Sequence, residues 1–307
     1  MSAGQSSRTC SEAKGSEAER AANEKLDLRA KRRDGILKAW MCSALRTVSA
    51  LGVTAALAAG ASAQIPSRTP APQRPIPPLQ APIAGFEYPQ HQVLTFTVDW
   101  RVFTAGIAVF HLDQAGEVMK ISASADTIGA INMLFPVVDR FQSGFDTKTG
   151  CSSGFNKQTQ EGRRKFASEL SFDYPHGKQS EYARNLVKGT ATRKEANIPA
   201  CVTDSLSAIF YTQSQPLNVG QTVYFPLADS MRTVTVGMKV ESKEEIKTPA
   251  GTFQTVKVQA TADEGVVKNR GQIWIWYTDD TRHLPVQMQA RLFWGTITFH
   301  LQSIEQK

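Results

Sequence analysis

Much that would mark an enzyme is missing from this sequence. There is no H-E-x-x-H, no phosphate-cradling G-x-x-x-x-G-K and no G-x-G-x-x-G. Those absences remove the usual sequence marks of zinc peptidases, P-loop nucleotide hydrolases and dinucleotide-binding enzymes. The five histidines, His91, His111, His176, His283 and His300, fall in no metal-ligand spacing, and no C-x-x-C is present. Neither a metal nor a cofactor is therefore expected. Glu244-Glu245 and Asp279-Asp280 adjoin turn signals, where carboxylates are normally solvated. An enzyme on this chain would have to assemble its site from distant strands, and no catalytic residue is assigned.

A long membrane-spanning run is also missing. Leu45–Ala63 (LRTVSALGVTAALAAGASA) is apolar but short and rich in alanine, too little for a spanning helix. It ends in Ala61-Ser62-Ala63, the small-residue pattern of a secretory cleavage site. The expectation is a signal peptide over 41–63 with Met41 as initiator, residues 1–40 being an extended leader or a misplaced start. Gln64 stands where a lipoprotein would need cysteine, so a periplasmic or secreted chain is expected, associated with the envelope but not integral to the membrane. The carboxy terminus, Ser303-Ile304-Glu305-Gln306-Lys307, lacks the aromatic ending of an outer-membrane barrel.

Charge of one sign is scarce once the leader is set aside. The formal net charge is +7, and residues 1–63 hold ten Lys and Arg against six Asp and Glu, an excess of four that leaves about +3 on the remainder. With no long basic run in that remainder, nucleic acid is not an expected partner. Cysteine is scarce too. Of four, Cys10 and Cys42 belong to the leader, leaving Cys151 and Cys201. In an oxidising compartment a Cys151–Cys201 disulfide is the economical reading; two buried free thiols or one reactive thiol are the alternatives.

What is present is β structure. Proline crowds residues 64–87, which favours an extended spacer over a core. From Tyr88 to about Glu305 one β-rich domain is expected. Leu94, Phe96, Val98 and Trp100 alternate with polar residues, and Gly106 marks a bend or bulge. Ile131–Phe135 reads as a strand end or one helical turn. Asp146–Gly150 reads as a hairpin turn, and Tyr182–Thr192 as one strand. Further strands start at Val223, Val234, Phe253, Ile273, Leu284 and Thr296. Short strands separated by turn signals predict a mainly β fold: a curved antiparallel sheet or incomplete barrel or sandwich, with one short helix near 204–211.

That helix lies in Ile198–Gly220, where the period changes. Leu206, Ile209 and Phe210 share one helical face, Asp204 or Thr203 stands at the N-cap position, and Pro216 and Gly220 end the element. It reads as a plug closing one end of a sheet, or as a lid or docking element. Ile273-Trp274-Ile275-Trp276-Tyr277 is apolar on both faces, so it is expected to be covered twice. Its indoles either fill a core beneath the helix or line a pocket; in the second case Trp100, Phe210, Trp274, Trp276 and Trp294 are the candidate ligand-binding residues.

Three stretches together resemble one family. They are Phe96–Trp100 running to Thr104-Ala105-Gly106; Val202–Tyr211 followed by Pro216-Leu217 and Gly220; and Thr248–Phe253 with Ile273-Trp274, Asp280–Val286 and Gly295. In order and spacing they resemble the DUF3108 family of bacterial exported proteins over about Tyr88–Ile304. The resemblance implies a periplasmic or envelope-associated β-rich domain and supplies no catalytic residue. The expected function is a non-catalytic envelope protein holding a lipid or other hydrophobic ligand in a concave sheet. A hydrolase or other enzyme with a dispersed site is the alternative.

Overall fold

A computed structural model of the chain describes residues 76–262, 271–292 and 295–306. The leader, the expected signal peptide, the first part of the proline-rich run and Trp294 lie outside these residues. The first eight strands are β1 (His91–Trp100), β2 (Phe103–Ala115), β3 (Val118–Thr127), β4 (Val137–Asp146), β5 (Ser152–Glu161), β6 (Arg164–Asp173), β7 (Lys178–Asn185) and β8 (Thr190–Asn197). The remainder are β9 (Thr222–Asp229), β10 (Arg232–Thr248), β11 (Gly251–Ala262), β12 (Gln272–Thr278), β13 (Pro285–Leu292) and β14 (Gly295–Gln306). Two short helices interrupt them, α1 (Gly129–Leu134) and α2 (Ser207–Gln213).

All the strands belong to one 14-stranded antiparallel sheet ordered β8-β7-β6-β5-β4-β3-β2-β1-β14-β13-β12-β11-β10-β9. Hairpins build each half, and the last strand returns to pair with the first. At that centre Val98 pairs with Gly106 and Asp99 with Thr104, leaving Ala105 as a bulge. Gly106 is needed there, because an added Cβ would lie 2.4 Å from the Asp126 carbonyl oxygen. The expected single strand over Tyr182–Thr192 is instead a hairpin, β7 and β8. Asn185 breaks it: its Oδ1 accepts from the Val187 and Lys188 N–H groups at 3.1 and 2.9 Å, a side-chain-nucleated turn. Ile131–Phe135 takes the helical option in α1.

The sheet does not close. β8 and β9 are its edges and never pair. β8 (TATRKEAN) is exposed along almost its whole length and carries Arg193, Lys194 and Glu195, charges that discourage pairing with a foreign strand. The β9 edge is covered by the chain itself: Thr203 N–H donates to the Pro226 carbonyl at 3.0 Å and Ala228 N–H to the Thr203 carbonyl at 2.8 Å. Side chains complete the seam, with Leu170, Ile198, Val202 and Ala228 in a small buried cluster. The Ser230 hydroxyl reaches Glu181 Oε2 at 2.9 Å.

α2 lies on the sheet's inner face. Phe210 packs edge-on against Phe110 and Tyr211 against Phe225, with centroids 6.2 and 5.0 Å apart. Burying each ring stabilises by roughly 2–3 kcal/mol. The Tyr277 hydroxyl donates to the Ile209 carbonyl at 2.8 Å. The helix starts later than the expected Asp204 or Thr203 cap, with Leu206 at the N-cap position, and Asp204 holds the turn that leads into it: Oδ1 accepts from Leu206 and Ser207 N–H at 2.9 and 3.0 Å. Its other oxygen accepts from the Ser143 and Ser152 hydroxyls at 2.5 and 2.6 Å. Asp204, Ser152 and Ser207 have no exposed surface, so four donors compensate the carboxylate's desolvation. Beside this network Cys151 and Cys201 form a disulfide with Cα atoms 5.2 Å apart. The end of the proline-rich run packs on α2 as well. Gln80 N–H donates to the Tyr211 hydroxyl and Ile83 N–H to the Ser214 carbonyl, so the packed chain starts ahead of the expected boundary at Tyr88.

Two outcomes test this arrangement. The disulfide spans a separation of 50 residues, and chain entropy for such a loop is about 4 kcal/mol; reduction is expected to lower the unfolding midpoint and to loosen residues 198–211 first in hydrogen exchange. Asp204→Ala should destabilise by about 2 kcal/mol or more in denaturant titration, since it leaves the buried Leu206 and Ser207 N–H groups without their acceptor and takes one partner from each of two buried hydroxyls. A loss below about 1 kcal/mol would show that α2 does not depend on the carboxylate.

Candidate ligand cavity

The residues expected to bind a ligand are not brought together. Ile275 and Tyr277 face the helix, so period-two alternation turns Trp274 and Trp276 to the opposite face. There their Nε1 atoms donate to Glu241 Oε2 and Glu244 Oε1 at 3.1 and 2.7 Å. The Lys257 ammonium lies 5.6 and 5.2 Å from the two ring centroids, and Arg291 covers Trp274 at 5.3 Å. Both indoles are buried. The second cover over this strand therefore includes cationic and acidic side chains, whose stems and cation–π contacts shield the rings. Phe210 is inside, in the core. Trp100 is half-buried at the end of β1, with the Arg101 guanidinium 5.6 Å from its ring.

A cavity of about 590 Å³ opens elsewhere, on the inner face of β4–β7. Ser143 reaches α2, so Phe141 and Asp139, two and four residues earlier on the same strand, share that inner face. Register carries the face onward: Phe141 pairs with Lys157, Asp139 with Thr159, and Thr159 with Phe166. Phe141 and Phe166 form an aromatic floor, and the Lys157 ammonium stands 5.6 Å from the Phe166 centroid. Arg163 from the β5–β6 turn, Arg164 and Lys165 at the start of β6, and Val187 and Lys188 from the β7–β8 turn form its mouth. Five cations, Lys157, Arg163, Arg164, Lys165 and Lys188, face two acids, Asp139 and Glu161, so the lining is net cationic. A volume of this size is typical of ligand sites. A second depression of about 500 Å³ touches the other face through His111, Gln142, Asn156, Glu169 and Arg184, and its lining is mostly polar.

Asp139 is buried in the cavity wall. Desolvation, with smaller contributions from the Glu161 and Asp126 charges, pushes its carboxyl up to about 6, against the Gln160 N–H bond and Arg140, which lower it. The Gln160 N–H donates to Oδ1 at 3.1 Å, and Arg140 is itself paired with Asp126 at 2.8 Å.

Sequence reasoning passed over these residues, although a basic triplet in a turn followed at a distance by Lys188 was a usable signal. It also missed one pattern. Gly150-Cys151-Ser152-Ser153-Gly154 spells G-x-S-x-G, the letters of a nucleophile elbow, which requires an exposed serine on a strand-to-helix turn. Here Ser152 opens β5 after a hairpin turn, is wholly buried and bonds Asp204, so the arrangement clamps a helix. Among the described residues no helix is long and apolar enough to cross a membrane, and no three His, Cys, Asp or Glu side chains gather as a metal site.

An open, curled antiparallel sheet around a helix, with a cavity on its inner face, defines a barrel-like β protein. Residues 95–302 match the profile of DUF3108, a family described as proteins of unknown function, and the chain belongs to that family. No curated protein matches the chain. Among solved structures it is similar to a β-barrel-like protein of the domain of unknown function DUF1849 from Brucella abortus, with 9% identity and a TM-score of 0.48, covering 72% of this chain and 99% of that one. It is also similar to a presumptive exported protein with a YmcC-like fold from Bacteroides fragilis, at 11% identity and TM-score 0.34, covering 72% and 99%. A presumptive lipoprotein from Parabacteroides distasonis matches at 11% identity and TM-score 0.27, covering 72% and 98%.

The raised Asp139 carboxyl gives a signed expectation. Its folded value lies above the unfolded one, so the ionised group opposes folding above about pH 6, and the penalty disappears as pH falls from 6 towards 4. Asp139→Asn should therefore stabilise the protein at pH 7.5 by up to about 3 kcal/mol, with little effect at pH 4, read as unfolding midpoints at both pH values.

Proposed function

We propose that this chain is an exported, non-catalytic envelope protein that holds an anionic amphiphile in the inner-face cavity of β4–β7. The observation that carries the reading is the pairing of an aromatic floor, Phe141 and Phe166, with an excess of cations at one mouth. An acyl chain would lie on the rings while a phosphate or carboxylate met Lys157 and the basic residues of the mouth, in a lining where charged and polar side chains outnumber apolar ones. Export is supported by the apolar segment ending at Ala61-Ser62-Ala63 and by a disulfide, which persists in oxidising compartments.

Native mass spectrometry of protein purified from envelope extracts, followed by titration with lysophosphatidylglycerol, tests the reading. The headgroup of this probe keeps its charge from pH 5 to 8. Lys157→Glu or Phe166→Ala should weaken binding by about tenfold. Binding should tighten as pH falls through about 6, when Asp139 loses its charge, and Asp139→Asn should remove most of that dependence. Failure to find any co-purifying or added amphiphile, with the folded protein intact, would overturn the proposal.

A further inference from the structure

The turns that follow β1, β3, β5 and β7 all lie at one end of the sheet, because every one of these strands runs in the same direction. Among the described residues thirteen large apolar side chains are exposed, and eight of them lie in or directly beside three of these four connections, so the exposure is concentrated. Val102 and Phe103 are 85% and 63% exposed in the first. The second carries Ile128, Met133, Leu134 and Phe135, with Met133 at 87% and Leu134 at 82%, and the fourth carries Leu186 and Val187. Backbone bonds tie each of the later connections to the neighbouring hairpin. Ile128 N–H donates to the Ala105 carbonyl at 3.0 Å, Gly162 N–H to Pro136 at 2.8 Å and Leu186 N–H to Lys165 at 2.9 Å. Phe135 also lies against the third turn, where a Cβ on Gly162 would stand 2.8 Å from its ring. Segments 101–103, 128–136, 161–165 and 186–189 carry five cations, Arg101, Arg163, Arg164, Lys165 and Lys188, and a single acid, Glu161.

We infer that this rim is a docking surface for an anionic lipid bilayer. Apolar side chains on protruding turns, interspersed with Arg and Lys, match an interface in which tips enter the acyl boundary while cations meet phosphates. A protein interface would instead gather its apolar residues into a flat core cleared of charge. The excess of four positive charges selects an anionic surface over a neutral one. The rim shares Arg163, Arg164, Lys165 and Lys188 with the cavity mouth, so the apolar pair Met133 and Leu134, which lines no part of the cavity, is what separates failure of docking from failure of the cavity reading.

Co-sedimentation of the full chain with phosphatidylcholine vesicles, with and without about one third phosphatidylglycerol, tests the surface, because all variants share the same leader. Arg163→Glu with Arg164→Glu should lower binding to anionic vesicles by about tenfold or more and weaken its sensitivity to salt. Met133→Ser with Leu134→Ser should lower binding on both vesicle types. Both pairs of side chains are exposed, and an unchanged melting midpoint serves as the control. Hydrogen exchange of the unsubstituted protein with anionic vesicles should protect 101–103, 128–136, 161–165 and 186–189, which reads the surface without any variant. Protection confined to other segments, or equal binding by both variants and the parent, would overturn the inference. So would a concentration-dependent dimer lost in Met133→Ser, since a second copy would then cover the rim.

Discussion

A sheet this wide must bury one face without completing its ladder, and the Asp204 carboxylate is where that requirement is met. One oxygen holds the first turn of α2 and the other holds hydroxyls from β4 and β5. A short helix is not stable on its own. It is held here because Asp204, which binds the turn leading into it, also tethers it to the sheet, and its rings Phe210 and Tyr211 then reach strands in both halves. The Cys151–Cys201 bond and the Thr203 contacts along β9 fix the same short segment from two further sides.

Filling one part of the interior with α2 leaves another part unfilled. The helix takes the space beside β9–β13 and the β4–β5 hairpin, while the upper inner face of β4–β7 keeps half-buried Phe141, Phe155 and Phe166. The cavity is thus a consequence of a plug smaller than the curl it occupies. Its wall carries Asp139, whose charge is disfavoured by desolvation, in a lining otherwise dominated by cations. Cavity mouth and apolar rim share the β5–β6 and β7–β8 turns, so a molecule leaving a bilayer at the rim would meet the cavity's basic residues first.

The opposite face of the sheet solves a different problem. Trp274 and Trp276 would be an exposed apolar patch, and Lys257, Arg291, Glu241 and Glu244 cover them with charge that remains in contact with water. A strand apolar on both faces does not by itself mean a core on both faces.

Local sequence pointed to most of the strands and turns, to a short helix just after Asp204, and to the pairing of Cys151 with Cys201. Each of these follows from period, backbone restriction or side-chain chemistry within a few residues, or from counting. The hairpin at Asn185 was legible only through a side-chain-nucleated turn hidden in a polar stretch. Tertiary structure alone decided which face each aromatic residue occupies relative to the helix, because one bulge or register step can reverse a face. It also decided that Ser143, Ser152 and Asp204, distant in the chain, meet, and that Asp139, Lys157 and Phe166 share one wall. Alternation says that two residues on a strand share a side. Which way that side faces, and what stands across from it, depends on how fourteen strands curl around a helix, and that is a long-range packing outcome no local window contains.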